Sequence, residues 1–175
     1  MLHTTSDETW DIIQKIHVKA PFRIIRQAAP YFRLKPEQRE NRSIINVSST
    51  TGLHGNVGQA NYAAAKAAVI GLTKTVCKEW GPFGVRANTI AFGLVHTRLT
   101  AAKEKGVAID IDGKKVALGI PGARDMGDPN ANYAHIPLRR GSHPDEAAAA
   151  MLFLVSPLAS YVSGHTLEVT GGVGI

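Results

Sequence analysis

The stretch between residues 43 and 80 constrains this chain more than any other. Residues 43–48 read SerIleIleAsnValSer, a short β-branched run that predicts a buried parallel strand. From about Gln59 to Trp80 the chain is dense in Ala60, Ala63, Ala64, Ala65, Ala67, Ala68 and Gly71. That composition predicts a long helix whose small residues let another helix or a sheet approach closely. Gly81 and Pro82 predict its end. Residues 85–90, ValArgAlaAsnThrIle, read as the next strand. A strand, a helix and a strand in this order point to an α/β fold.

The same stretch holds the candidate chemistry. Tyr62 and Lys66 stand four residues apart near the start of the helix, and side chains at i and i+4 share one helix face. An ammonium beside a phenol favours the phenolate. A tyrosine tuned in this way works as a general acid or base near neutral pH. Ser49, at the end of the preceding strand, is placed to give a hydrogen bond to the same reacting oxygen. A Tyr and a Lys at helical spacing are also a common solvated helix face, so the context carries the argument. Ser49 precedes Tyr62 by thirteen residues, after a buried strand and before a small-residue helix.

In that context residues 49–66 resemble the short-chain dehydrogenase/reductase family, whose active site is a Ser followed by TyrXXXLys at this separation. The run AsnValGlyGlnAlaAsnTyrAlaAlaAlaLys is most similar to the 3-oxoacyl-acyl-carrier-protein reductase branch. The resemblance extends from about Trp10 to Gly172. Trp10, His17 and Phe22 have the spacing of a family pattern in which an Asn stands where this chain has His17. The family uses that position in a proton relay, partly through its main-chain carbonyl. Pro21 lacks the N–H that would bond the His17 carbonyl, so this proline is expected to interrupt the first helix, capped by Ser6 or Asp7, and free that carbonyl. Asn88, Gly93 and Thr97 match a family turn that holds the nicotinamide amide and phosphate, with Phe92 replacing its proline. ProLeuXArg at residues 137–140, a late helix starting near Pro144, and residues 166–172 are similar to the family's closing scaffold.

Residues 51–58 contain glycines after a strand, but spaced GlyXXGlyXXGly rather than as a dinucleotide fingerprint. They are expected to form a flexible loop between serine and tyrosine. Residues 99–136 fall where the family keeps a variable substrate lid. There Val107, Ile109 and Ile111 alternate, Asp112-Gly113 follows, and Val116, Leu118 and Ile120 alternate again, which predicts a hairpin. The single Cys77 excludes an internal disulfide, and its apolar neighbours predict a buried inert thiol. No metal site is expected. The formal charge of +6 is spread without a run of like charges, so no nucleic-acid partner is expected. No apolar run is long enough to span a membrane and no secretory signal shape is present. The expected location is the cytoplasm, an organelle being the alternative.

The resemblance implies an α/β fold: the C-terminal two-thirds of a Rossmann-like doubly wound parallel sheet with a hairpin-bearing lid insertion, residues 1–175 forming a single domain. The family's first strands and its ThrGlyXXXGlyXGly phosphate loop have no counterpart here. It implies an oxidoreductase using NADP or NAD on a carbonyl or 3-oxoacyl thioester, or on the corresponding alcohol. Ser49, Tyr62, Lys66 and His17 would be catalytic; Tyr62, Lys66, Gly93, Val95 and Thr97 would bind cofactor. A homodimer or homotetramer is the expected assembly. The alternative is a catalytically inactive homologue acting as an oligomerisation module.

Overall fold

The computed structural model describes residues 1–38, 40–103, 106–111, 114–118 and 132–174. They fall into two compact units, one of residues 1–92 with 149–169 and one of residues 93–148 with 170 onward.

The first unit begins with helix α1 (Asp7–Gln14), whose N-cap Ser6 accepts a hydrogen bond from the Thr9 N–H. Asp7 and Glu8 lie in its first turn, where carboxylates complement the helix dipole. Pro21 does not interrupt the helix as expected. A π-helical turn, Lys15–Lys19, precedes helix α2 (Ala20–Phe32), and the Ala20 N–H bonds back to the Lys15 carbonyl. The wider turn absorbs one residue, and Pro21 then falls in the first turn of α2, the part of a helix that tolerates a proline best.

Strand β1 (Arg42–Ser49) leads into a short helix α3 (Thr50–His54), then the long helix α4 (Ala60–Trp80). Here too the structure corrects the sequence reading: the first half of residues 51–58 is helical rather than loop. The cause is local, because the Ser49 hydroxyl accepts the Thr51 N–H and starts the turn. A short 3₁₀ turn, closed by Gly84 at φ 78°, delivers the chain to strand β2 (Val85–Phe92). Strand β5 (Thr166–Val169) completes a parallel sheet of order β1-β2-β5.

The two faces of this sheet meet different helices. On one, Asn46 donates to Thr73 of α4, and Ile25, Val76, Trp80, Val85 and Ala87 form the apolar core. On the other, Arg86 is buried against the end of helix α5 (Pro144–Val155), donating to the Leu154 carbonyl at 2.8 Å and, more weakly, to those of Val155 and Ser156. A guanidinium there satisfies carbonyls that a helix end leaves free. Cys77 is half-buried, not buried as its apolar neighbours predicted, and its Sγ meets the Ser163 hydroxyl at 3.1 Å.

In the second unit strands β3 (Ala108–Ile111) and β4 (Lys114–Ala117) pair antiparallel, as the alternation predicted. Asp112, Gly113 and Ile120 lie outside the described residues. In the first turn of α5, Glu146 accepts from the His143 N–H and takes both arms of the Arg140 guanidinium at 2.6 Å. These partners hold its pKa well down, to about 2, the Arg140 hydrogen bonds contributing most. A carboxylate held below its unfolded value stabilises the fold at pH above the unfolded value of about 4.3 and loses that contribution as pH falls towards 2. Glu146→Gln is therefore expected to flatten the dependence of thermal melting on pH between about 4.5 and 2. The difference should shrink in high salt, because the pair is exposed. An unchanged pH dependence would remove Glu146 from the acid response.

Candidate active site

The active-site candidates of the first unit are placed by three elements. Ser49 ends β1 and caps α3; its hydroxyl accepts one bond and keeps its own proton to donate. Tyr62 and Lys66 lie on α4, one turn apart, with the Lys66 Nζ 5.5 Å from the centre of the Tyr62 ring. His17, in the π turn, meets the same ring edge-to-face at 5.3 Å. Two side-chain contacts join α1, which leads into the π turn, to the start of α4: Gln14 donates to the Asn61 carbonyl, and Asn61 donates to the Thr9 carbonyl. The structure thus brings His17, Tyr62 and Lys66 into one cluster from residues 49 positions apart in sequence.

Lys66 is only 8% exposed. Burial pushes its pKa down, since a low-dielectric site disfavours the charged form. Its Nζ donates to the Val47 carbonyl at 2.9 Å. The alternation of the sheet shows which side that carbonyl faces. Ala87 and Thr89 bond towards the chain of β5, so Ile90 faces β1, and its register partner Val47 faces away from β2. The ammonium therefore sits on an acceptor on the side of β1 that faces away from β2.

His17 is held below the ordinary imidazole value, first by burial and then by the nearby Lys66 charge. A depressed histidine pKa stabilises the fold above the unfolded value of about 6.5 and loses that contribution as pH falls through the folded value. His17→Asn should make stability less sensitive to pH below about 6.5, read by urea midpoints across that range. An identical acid-side slope would show that His17 does not titrate with folding.

Gly93, Val95 and Thr97 lie in the second unit. A Cβ on Gly93 would stand 3.1 Å from the Thr170 Cα, so this glycine is needed for a close backbone approach. The Val95 carbonyl accepts from the Thr100 hydroxyl at 2.6 Å, and the Thr97 hydroxyl accepts from the Leu99 N–H. The turn is thereby closed on itself: with the Thr100 proton on the Val95 carbonyl, the Thr97 hydroxyl donates to the Thr100 oxygen at 3.3 Å. Sequence reasoning missed Gly52 and Ser48, which touch the backbone of Lys66: a Cβ on Gly52 would lie 2.7 Å from the Lys66 carbonyl carbon, and Ser48 donates to the Lys66 carbonyl. The alternation of β1 carried a signal for Ser48, which shares its sheet face with Asn46.

The first unit thus combines a parallel sheet, packed on one face by α4, with a tyrosine and a lysine one turn apart on that helix. The chain belongs to the short-chain dehydrogenase/reductase family: residues 1–174 match its model described as enoyl-(acyl carrier protein) reductase. Within it, this chain is 35% identical over 175 residues to the 3-oxoacyl-[acyl-carrier-protein] reductase of Thermotoga maritima, covering all of this chain and 61% of that protein. It is 34% identical over 168 residues to the (3R)-3-hydroxyacyl-CoA dehydrogenase of Canis lupus familiaris, covering 96% of this chain and 56% of that one. Among solved structures, 4-hydroxyisoleucine dehydrogenase complexed with NADH shares the fold with a TM-score of 0.76 at 24% identity, over 99% of this chain and 62% of its own. The chain thus spans about three-fifths of the length of these relatives. No described helix is long and apolar enough to cross a membrane.

Proposed function

We propose that this chain, read as one domain with a lid segment at about 99–136, carries the proton-transfer site of an NAD(P)-dependent carbonyl reductase. The preferred substrate is a 3-oxoacyl thioester, and the reverse direction oxidises the corresponding alcohol. The convergence of His17, Tyr62 and Lys66 supports this reading most directly. NAD(P)H, when bound, supplies the hydride for the carbonyl carbon. Tyr62 gives its proton to the carbonyl oxygen, and Ser49, with a hydroxyl proton to donate, polarises and orients that oxygen. Lys66 brings a cation to the phenol. An ammonium has three donors and Val47 uses one, so its donor set also suits the hydroxyls of a nicotinamide ribose. His17 extends the proton path away from Tyr62. By resemblance, Gly93, Val95 and Thr97 take the nicotinamide amide and phosphate.

The test is a fluorescence titration of the chain with NADPH and NADH, followed by turnover of acetoacetyl-CoA. Saturable binding with consumption of the reduced nucleotide is the expected result. A folded sample that neither binds nor turns over would overturn the enzymatic reading of this chain and leave an interaction module.

Self-association into a homodimer or homotetramer belongs to the same proposal, and α4 offers a surface for it. Ala67, Ala68 and Gly71 form an exposed small-residue strip on that helix. Ala67→Glu is expected to shift the mass in light scattering towards the monomer; an unchanged mass would count against this surface.

A further inference from the structure

We propose that Gly52 and Ser48 are positioning residues for the reaction: together they fix where the backbone of Lys66, and with it the Tyr62–Lys66 pair, stands against the serine end of β1. The inference rests on the proton-transfer reading above.

Local and tertiary preference conflict at Gly52. Gly52 lies inside helix α3, where alanine would be favoured over glycine by about 1 kcal/mol. Its φ is not in the left-handed region, so no turn geometry requires a glycine. What excludes a side chain is α4. An added Cβ would lie 2.7 Å from both the carbonyl carbon and the Cβ of Lys66, and 3.0 Å from the Ala67 nitrogen. Two of these three atoms are backbone and the third is a Cβ, so none can swing aside as a flexible side-chain end would. The whole of α3 or α4 has to shift.

Ser48 holds the same peptide from the strand. Its side chain is 3% exposed, and its hydroxyl donates to the Lys66 carbonyl at 2.8 Å. Ser48 precedes Ser49 in β1, and Gly52 follows it by three residues, so both contacts bracket the candidate catalytic serine. A third contact fixes the far end of the side chain, where Nζ donates to the Val47 carbonyl. Lys66 is thus seated at its Cβ, its carbonyl and its ammonium by residues 47, 48 and 52. A helix held so closely at Lys66 carries Tyr62, one turn earlier, at a set distance from Ser49. Displacements of about 1 Å cost catalysis around a hundredfold, so this seat sets the rate without touching the reacting atoms.

The test follows Lys66 itself, by NMR titration of the lysine 13Cε signals in the 175-residue chain, the Lys66 signal being assigned by its loss in Lys66→Arg. In Gly52→Ala the titration midpoint is expected to rise towards the ordinary lysine value of about 10.4, as the displaced side chain gains solvent. Ser48→Ala should move it in the same direction by less, and it decides the matter if Gly52→Ala fails to fold. Gly81→Ala is the control, since a Cβ there meets nothing within 4 Å, and it should leave the midpoint in place. Where the chain turns over acetoacetyl-CoA, Gly52→Ala should lower kcat by about a hundredfold with KM little changed. Unmoved midpoints in both variants would overturn the proposal, as would a moved midpoint with kcat retained. The two readings fail separately: a chain without turnover removes the catalytic one, while the lysine titration still decides whether residues 48 and 52 seat Lys66.

Discussion

Tyr62→Phe should reduce turnover of acetoacetyl-CoA by about 10²–10⁴-fold, the range that a positioned general acid contributes. The substitution removes one oxygen and keeps the ring. The edge-to-face contact with His17 at 5.3 Å and the Lys66 ammonium at 5.5 Å both depend on the ring, so the fold and the melting temperature should be preserved. Binding of the reduced nucleotide, followed by its fluorescence, should survive within a few-fold, because Lys66 keeps its donors. A variant that turns over at the parent rate would remove Tyr62 from the chemistry. A variant that loses nucleotide binding along with turnover would make the phenol a binding group.

The second large effect concerns the fold that carries the site. Asn88 is fully buried in β2, and its amide closes the sheet onto the chain entering β5: Nδ2 donates to the Val162 carbonyl at 2.8 Å, and Oδ1 accepts from the His165 N–H at 3.0 Å. Asn88→Ala leaves the part-buried His165 N–H without its side-chain acceptor and the Val162 carbonyl with only the longer bond from Arg86 at 3.4 Å. A group left without a partner costs about 1–3 kcal/mol, so a loss of about 1–3 kcal/mol is expected in urea unfolding. Asn88→Asp should recover part of it, since the carboxylate still accepts from His165 while the bond to Val162 is lost. Equal stability of parent and Asn88→Ala would mean that β5 holds its place without this amide. The family resemblance assigns Asn88 to a nicotinamide turn by its spacing. Its two backbone contacts give it a structural role at the start of that pattern.

Much of this was legible along the chain because it depends on local periodicity. β-Branched residues at 43–48, alanines through α4 and the alternation around β3 and β4 each follow from side chains repeating in step with the backbone. Observed bounds differ by one or two residues, as for β1, which runs Arg42–Ser49. Tyr62 and Lys66 were legible for the same reason, since four residues on one helix fix their shared face. The helix at Thr50–His54 was not, because glycines at Gly52 and Gly55 read as loop, while the Ser49 hydroxyl that starts it is a cap detail. The π turn at Lys15–Lys19 was missed because Pro21 announces a lost hydrogen bond without saying how the helix will accommodate it.

By itself the sequence determined the α/β class, the helix that pairs Tyr62 with Lys66, and the position of Ser49 at a strand end. These are matters of spacing within single elements. Only the tertiary structure decided that His17 meets the Tyr62 ring, that the Lys66 ammonium rests on the Val47 carbonyl, and that Gly52 must lack a side chain. The physical reason is that these contacts join separate elements. They depend on how closely two packed surfaces approach, and the 2.7 Å that a Cβ added at Gly52 would leave to Lys66 is a property of the packed pair, with no trace in the periodicity of either.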